Sequence, residues 1–142
     1  MAKVFREKEM DVPIGALRSV ISDFESYPKF LTEVKAARIL GGDLKSKMHV
    51  SFELEIIKRF QYELEFSFNG GDISWVLTGS NFFKTNTGKW NLTEKSPSTT
   101  HVLYELDVSF GFLVPGWISS KLTETSLPKM LDSFEKRAKE NM

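Results

Sequence analysis

The sequence predicts an α+β domain in which a curved antiparallel β-sheet of about seven strands wraps around one long C-terminal helix, the helix-grip arrangement. Three observations carry this. An opening strand is followed by two short helical stretches, residues 33–111 then run as strand after strand, and residues 115–142 return to helical spacing. A sheet of this size twists and curls, and its single apolar face needs cover. The final segment is the only element long enough to supply it.

KVFREKEM (3–10) alternates polar and apolar residues and gives the first strand. Asp11-Val12-Pro13 punctuates, with Pro13 suited to a helix's first turn. IGALRSVISDF (14–24) places Leu17, Val20, Ile21 and Phe24 at helical spacing. Tyr27-Pro28 ends this helix, because the residue before proline is disfavoured in the α region. SYPKFL (26–31) reads as a second helical turn with Phe30 and Leu31 tucked inward.

Six strands follow. VKAARIL (34–40) ends at Gly41-Gly42-Asp43, and KMHVSFELEII (47–57) sets Met48, Val50, Phe52, Leu54 and Ile56 on one face. FQYELEFSF (60–68) does the same with Phe60, Tyr62, Leu64, Phe66 and Phe68, since side chains alternate faces along a strand. Asn69-Gly70-Gly71-Asp72 is a tight turn into DISWVLTG (72–79), which carries Ile73, Trp75 and Leu77 together. GKWNLTE (88–94) pairs Trp90 with Leu92, and TTHVLYELDVSF (99–110) aligns Val102, Tyr104, Leu106, Val108 and Phe110. In the last segment Leu127, Leu131, Phe134 and Ala138 form a stripe below Trp117, Ile118 and Leu122. Pro128 is expected to kink this helix and to act as its hinge.

A chain of 142 residues reads as one domain, large enough to bury its own core. Nineteen basic residues balance nineteen acidic ones, which argues against nucleic acid as the main partner. The absence of cysteine excludes disulfides, iron–sulfur clusters and thiol nucleophiles. MAKVFREKEM lacks the apolar run of a signal peptide, and no stretch approaches the roughly 18 apolar residues of a membrane span. A cytoplasmic protein is the expectation.

VPIGALRSVISDFESYPKFLTEVKAARIL (12–40) contains an aspartate-x-x-x-tyrosine-proline-x-phenylalanine phrase in Asp23, Tyr27, Pro28 and Phe30. TGKWNLTE (87–94) contributes a glycine-x-tryptophan strand through Gly88 and Trp90, and VPGWISSKLTETSLPKMLDSFEKRAKE (114–140) a leucine-proline break with a phenylalanine-glutamate-x-arginine-alanine ending. These phrases, in this order of elements, resemble the START-like (SRPBCC) superfamily, and within it the polyketide cyclase/dehydrase and coenzyme Q-binding, lipid-transport branch. The resemblance implies a deep apolar cavity between sheet and helix that holds a hydrophobic ligand, with no cofactor. Fold analogy does not name the ligand.

Catalytic signatures are sparse. His49 and His101 both alternate onto the polar faces of their strands, and no HExxH, CxxC or GxSxG phrase occurs, so no metal site is expected. Candidates for chemistry are polar groups on the apolar face: Tyr62, Tyr104, and Arg38, which alternation places with Val34, Ala36 and Leu40. Such groups can orient a phenolic or keto ligand, and a perturbed tyrosine can act as an acid. The plainer reading packs each ring and points its hydroxyl at a backbone carbonyl or at water, with Arg38 at the sheet margin. Glu53, Glu55, Glu63 and Glu65 belong to the outer face, where cations such as Lys89 are expected beside them.

Whether the aromatic face meets a filled core or a guest is not settled by alternation, because stripes of this kind serve both. The resemblance favours a cavity. Its expected lining is Phe52 and Leu54, then Tyr62, Leu64 and Phe66, then Trp75, Leu77 and Trp90. Tyr104, Leu106 and Phe110 continue it, and Trp117, Leu122, Leu127 and Leu131 close it from the helix. FGFLVPGW (110–117) is an apolar connection that either caps the barrel end or forms a mouth, with Phe112, Leu113 and Trp117 available for transient membrane contact. Three functions follow in order: a carrier or sensor of a lipid, quinone or polyketide-like aromatic, a cyclase or dehydratase using the same cavity, and a ribosome-association-type interaction protein. A monomer or weak dimer is expected.

Overall fold

In the computed structural model the described residues are 2–43, 45–56, 58–111 and 114–141. Ile56 by its side chain, and Phe112 and Leu113 entirely, lie outside that description. The element order is β1 (Ala2–Met10), α1 (Ile14–Ser22), a 3-10 helix (Phe24–Lys29), β2 (Val34–Gly42), β3 (Lys47–Ile56), β4 (Lys58–Asn69), β5 (Asp72–Ser80), β6 (Phe83–Ser96) and β7 (Thr99–Phe110). The chain ends in a helix of three parts: α2 (Gly116–Ser120), a π-helical segment (Lys121–Ser126) and α3 (Leu127–Glu140). The strands form one antiparallel sheet in the order β1-β7-β6-β5-β4-β3-β2. Strands β2 to β7 are a meander, and β1 returns to pair with β7 in register Val4↔Leu106.

The alternation seen in the sequence becomes burial. Val50, Phe52 and Leu54 of β3 face Leu64, Tyr62 and Phe60 of β4 across the ladder, and all six belong to the core or pack against it. The outer face is wet and charge-paired. Its glutamates meet Arg59 (3.5 Å to Glu53), Lys47 (3.5 Å to Glu65), His49 (3.1 Å to Glu63) and Lys35 (3.9 Å to Glu55). Lys89 is not their partner; it faces Glu105 at 3.8 Å.

One bulge alters the expected faces of β2. A register shift between Val34 and Ala36 turns β2 by one residue, so Ala37 packs on the core and Arg38 is exposed on the outer side, opposite Ser51. One extra residue alters the phase of alternation. Strand β6 also begins at Phe83, five residues before the alternating run that marks it in the sequence.

Pro128 does not break the helix. The turn before it widens into the π segment, whose following N–H, on Leu127, bonds back to the Leu122 carbonyl, and the wider turn makes room for the proline ring as α geometry continues from Leu127. The irregularity therefore lies over 121–126 rather than at the leucine-proline step. α3 is fastened to the rest of the fold. It packs on α1, Lys8 of β1 pairs with Asp132 and with Glu135 (2.8 Å), and the Asp11 N–H donates to Glu135 Oε2 at 3.0 Å.

Candidate ligand-binding cavity

Between the inner face of the sheet and the C-terminal helix lies a cavity of about 230 Å³. Phe52 and Leu54 line it from β3, and Tyr62, Leu64 and Phe66 from β4. Trp75 of β5, Trp90 of β6, and Tyr104, Leu106 and Phe110 of β7 complete the sheet side, with Leu122 and Leu127 from the helix. Three expected residues stand elsewhere. Leu77 packs against the core without reaching the cavity, Leu131 is buried under the helix stripe, and Trp117 points outward at 54% exposure. Arg38, on the outer face, is likewise absent from the lining.

Aromatic contacts hold the walls open. Phe52 stacks on Tyr62 at 5.3 Å, while Trp90 meets Tyr104 edge-on at 4.8 Å and Phe134 at 5.1 Å. Such rings lock one another at fixed angles rather than collapsing inward. Gly88 is needed where Trp75 crosses β6. A Cβ there would lie 2.4 Å from Trp75 Cζ2 and 2.5 Å from the Glu105 carbonyl oxygen.

Sequence reasoning missed Tyr27, Glu33, Phe83, Asn86 and Phe134 as lining residues. Asn86 was within reach of it: carrying the β6 alternation back from Trp90 through Gly88 lands on Asn86. Buried at 6% exposure, its Oδ1 accepts the Trp75 indole N–H at 2.9 Å. Indole is donor-only, so this bond orients the amide and turns its NH2 group elsewhere.

The three tyrosines differ. Tyr27 donates its hydroxyl to the Ile21 carbonyl, the structural use expected of a buried phenol. The hydroxyls of Tyr62 and Tyr104 line the cavity with no hydrogen-bond partner among the described residues. Burial pushes both phenols well above the usual tyrosine range, with Tyr62 adding to the effect at Tyr104. They remain protonated donors at any ordinary pH. His49 and His101 stand away from the cavity lining, His49 donating to or accepting from Thr78 Oγ1 at 2.9 Å and His101 lying 3.7 Å from Glu7. No group of three metal-ligating side chains occurs among the described residues.

The exposed lining residues, Thr32 and Lys129, mark the open side, between the 31–34 connection and the C-terminal helix. This arrangement of sheet, helix and apolar cavity has relatives. Residues 10–135 match the family described as polyketide cyclase / dehydrase and lipid transport. The chain belongs to that family. The fold is shared with solved structures across long sequence distances. A START superfamily protein from Mycobacterium smegmatis superposes with a TM-score of 0.85 at 22% identity, covering 99% of each chain. The Zhui aromatase/cyclase from a Streptomyces species gives 0.84 at 11% identity over 97% of this chain and 93% of that one. A STAR-related lipid transfer protein from Xanthomonas axonopodis gives 0.73 at 14% identity, covering 96% and 85%. No curated protein sequence matches the chain. Among the described residues, no helix of this family member is long and apolar enough to cross a membrane.

Proposed function

We propose that the protein binds a hydrophobic small molecule in the sheet–helix cavity, as a carrier or sensor. The observation that carries this reading is the lining itself: aromatic and aliphatic walls interrupted by a few polar groups left without protein partners, the composition of a small-molecule site. At about 230 Å³ the space exceeds the roughly 150 Å³ that accepts benzene and falls short of the roughly 300 Å³ at which drug-sized pockets begin. That suits a compact one- or two-ring aromatic, or the end of a longer chain emerging between Thr32 and Lys129.

Binding is favoured over cyclase or dehydratase chemistry by the placement of titratable groups. General acid–base catalysis works best with a pKa near the operating pH. Burial drives the Tyr62 and Tyr104 phenols away from it, while Arg38 and both histidines lie outside the cavity lining. The zero net charge likewise offers little to a ribosomal partner.

The test is mass spectrometry of material released when protein purified from its natural host is denatured. Stoichiometric recovery of an apolar molecule supports the reading. A protein that releases nothing, and that fails to bind any of a panel of lipids, quinones and aromatic ketones, would refute it.

A further inference from the structure

Asn86, Tyr62 and Tyr104 bring hydrogen-bond donors to an otherwise apolar sheet wall. The Trp75 indole N–H occupies Asn86 Oδ1, so what the amide has left to offer is its NH2 group, which only donates. Burial holds both phenols protonated. Among the described residues, neither hydroxyl nor the NH2 group has a hydrogen-bond partner.

These three groups are also open. Arg18 Nε, Glu33 Oε2, His101 Nδ1 and Asp107 Oδ1 are unpaired polar atoms too, but each is sealed under protein atoms. The Asn86 NH2 group and the two hydroxyls are not sealed in this way, and the residues that carry them line the cavity. A desolvated donor without an acceptor is unfavourable and calls for a physical explanation. The phenols are adaptable, because a hydroxyl rotates and also accepts. The amide is not: Trp75 holds it in one orientation, with only N–H to present.

We propose that the cavity selects an aromatic guest by an acceptor-only oxygen, such as a ketone carbonyl, and that Asn86 is the residue that sets the preference. This rests on the binding reading above. A carbonyl oxygen carries two lone pairs, enough to accept from the amide and from a phenol. A hydrocarbon of the same shape displaces water from the NH2 group and returns no acceptor.

Two probes separate the outcomes: acetylnaphthalene and isopropenylnaphthalene, substituted at the same ring position and differing only in C=O against C=CH2. A cavity that is merely apolar ranks the hydrocarbon first, because the carbonyl leaves water less readily. In equilibrium dialysis the wild type should instead bind the ketone more tightly, by at least about threefold. Asn86→Leu should reverse the order, weakening the ketone by about tenfold while the hydrocarbon stays within about threefold. Should that variant fail to fold, Trp75→Phe with Asn86→Leu, which strands no indole donor, takes its place. A wild type that prefers the hydrocarbon would overturn the selection and leave the cavity reading standing. A ketone preference retained by the folded variant would overturn the role of Asn86. Failure of both probes to bind would overturn the selection and the binding reading together.

Discussion

The indole N–H of Trp75 donates to the Asn86 side-chain oxygen across 2.9 Å, joining β5 to β6 in the wall of the cavity. Trp75 is 6% exposed, so removing its acceptor strands a buried donor. Asn86→Leu should lose about 1–3 kcal/mol of stability in chemical denaturation, the usual cost of such an orphan. The pair Trp75→Phe with Asn86→Leu removes both partners, and its loss should be smaller than the sum of the singles. Strict additivity would show that the bond does not couple the two strands.

Trp90 is 3% exposed and wedged between Tyr104 and Phe134, which places it among the large buried aromatics. Trp90→Ala is expected to destabilise the fold by about 3–5 kcal/mol. A loss within about 0.5 kcal/mol, typical of surface positions, would mean that the face of β6 is assigned backwards.

Acidification should loosen the join between β1 and α3. Burial pushes the Glu135 carboxyl up, but hydrogen bonds from Lys8 and from the Asp11 N–H outweigh it and hold its pKa below the usual carboxylate value. A depressed folded-state pKa stabilises above the unfolded value of about 4.3 and is lost as pH falls through the folded one. Thermal melts should therefore show Glu135→Gln converging on wild type below about pH 4 while being less stable at neutral pH. A constant gap from neutral to strongly acid pH would rule out this ionic contribution.

The two halves of the C-terminal helix should differ in opening. α3 is fastened through Asp132 and Glu135, whereas no salt bridge joins residues 116–126 to the rest of the described structure. Hydrogen exchange should find amides of the π segment exchanging at least about tenfold faster than those of 131–138, as expected of a less supported unit. Uniform protection along the helix would show that its two halves are equally supported.

Much of this was legible in the sequence, and the misses have physical causes. The inner faces of β3, β4 and β7 follow strict alternation, so Phe52, Leu64 and Tyr104 could be placed from spacing alone. Arg38 could not, because the β2 bulge that turns it outward leaves no mark in a sequence that reads as plain alternation. Leu77 keeps the inner face that alternation gives it, paired with Leu64 and packed on the core, but alternation carries no measure of how far along the sheet the cavity extends. Pro128 was visible, but a proline reveals only that the helix must adapt, not that the preceding turn widens to do so. Glu33 escaped notice because nothing in its neighbours signals burial; only the fold brings that connection against the helix.

Leu64 offers the most direct test of a cavity made for a guest. It stands mid-strand on the inner face of β4, opposite Val50 and Leu77, and lines the space. Leu64→Trp should fill that space at a stability cost of about 1–3 kcal/mol, the usual overpacking range, leaving the protein folded. Fluorescence titration with a neutral acylnaphthalene should saturate on the wild type and weaken by at least about tenfold on the variant, as expected when a ligand's volume is taken by side-chain atoms. A wild type that does not saturate, or a folded Leu64→Trp that binds as tightly as the wild type, would contradict a binding site between sheet and helix.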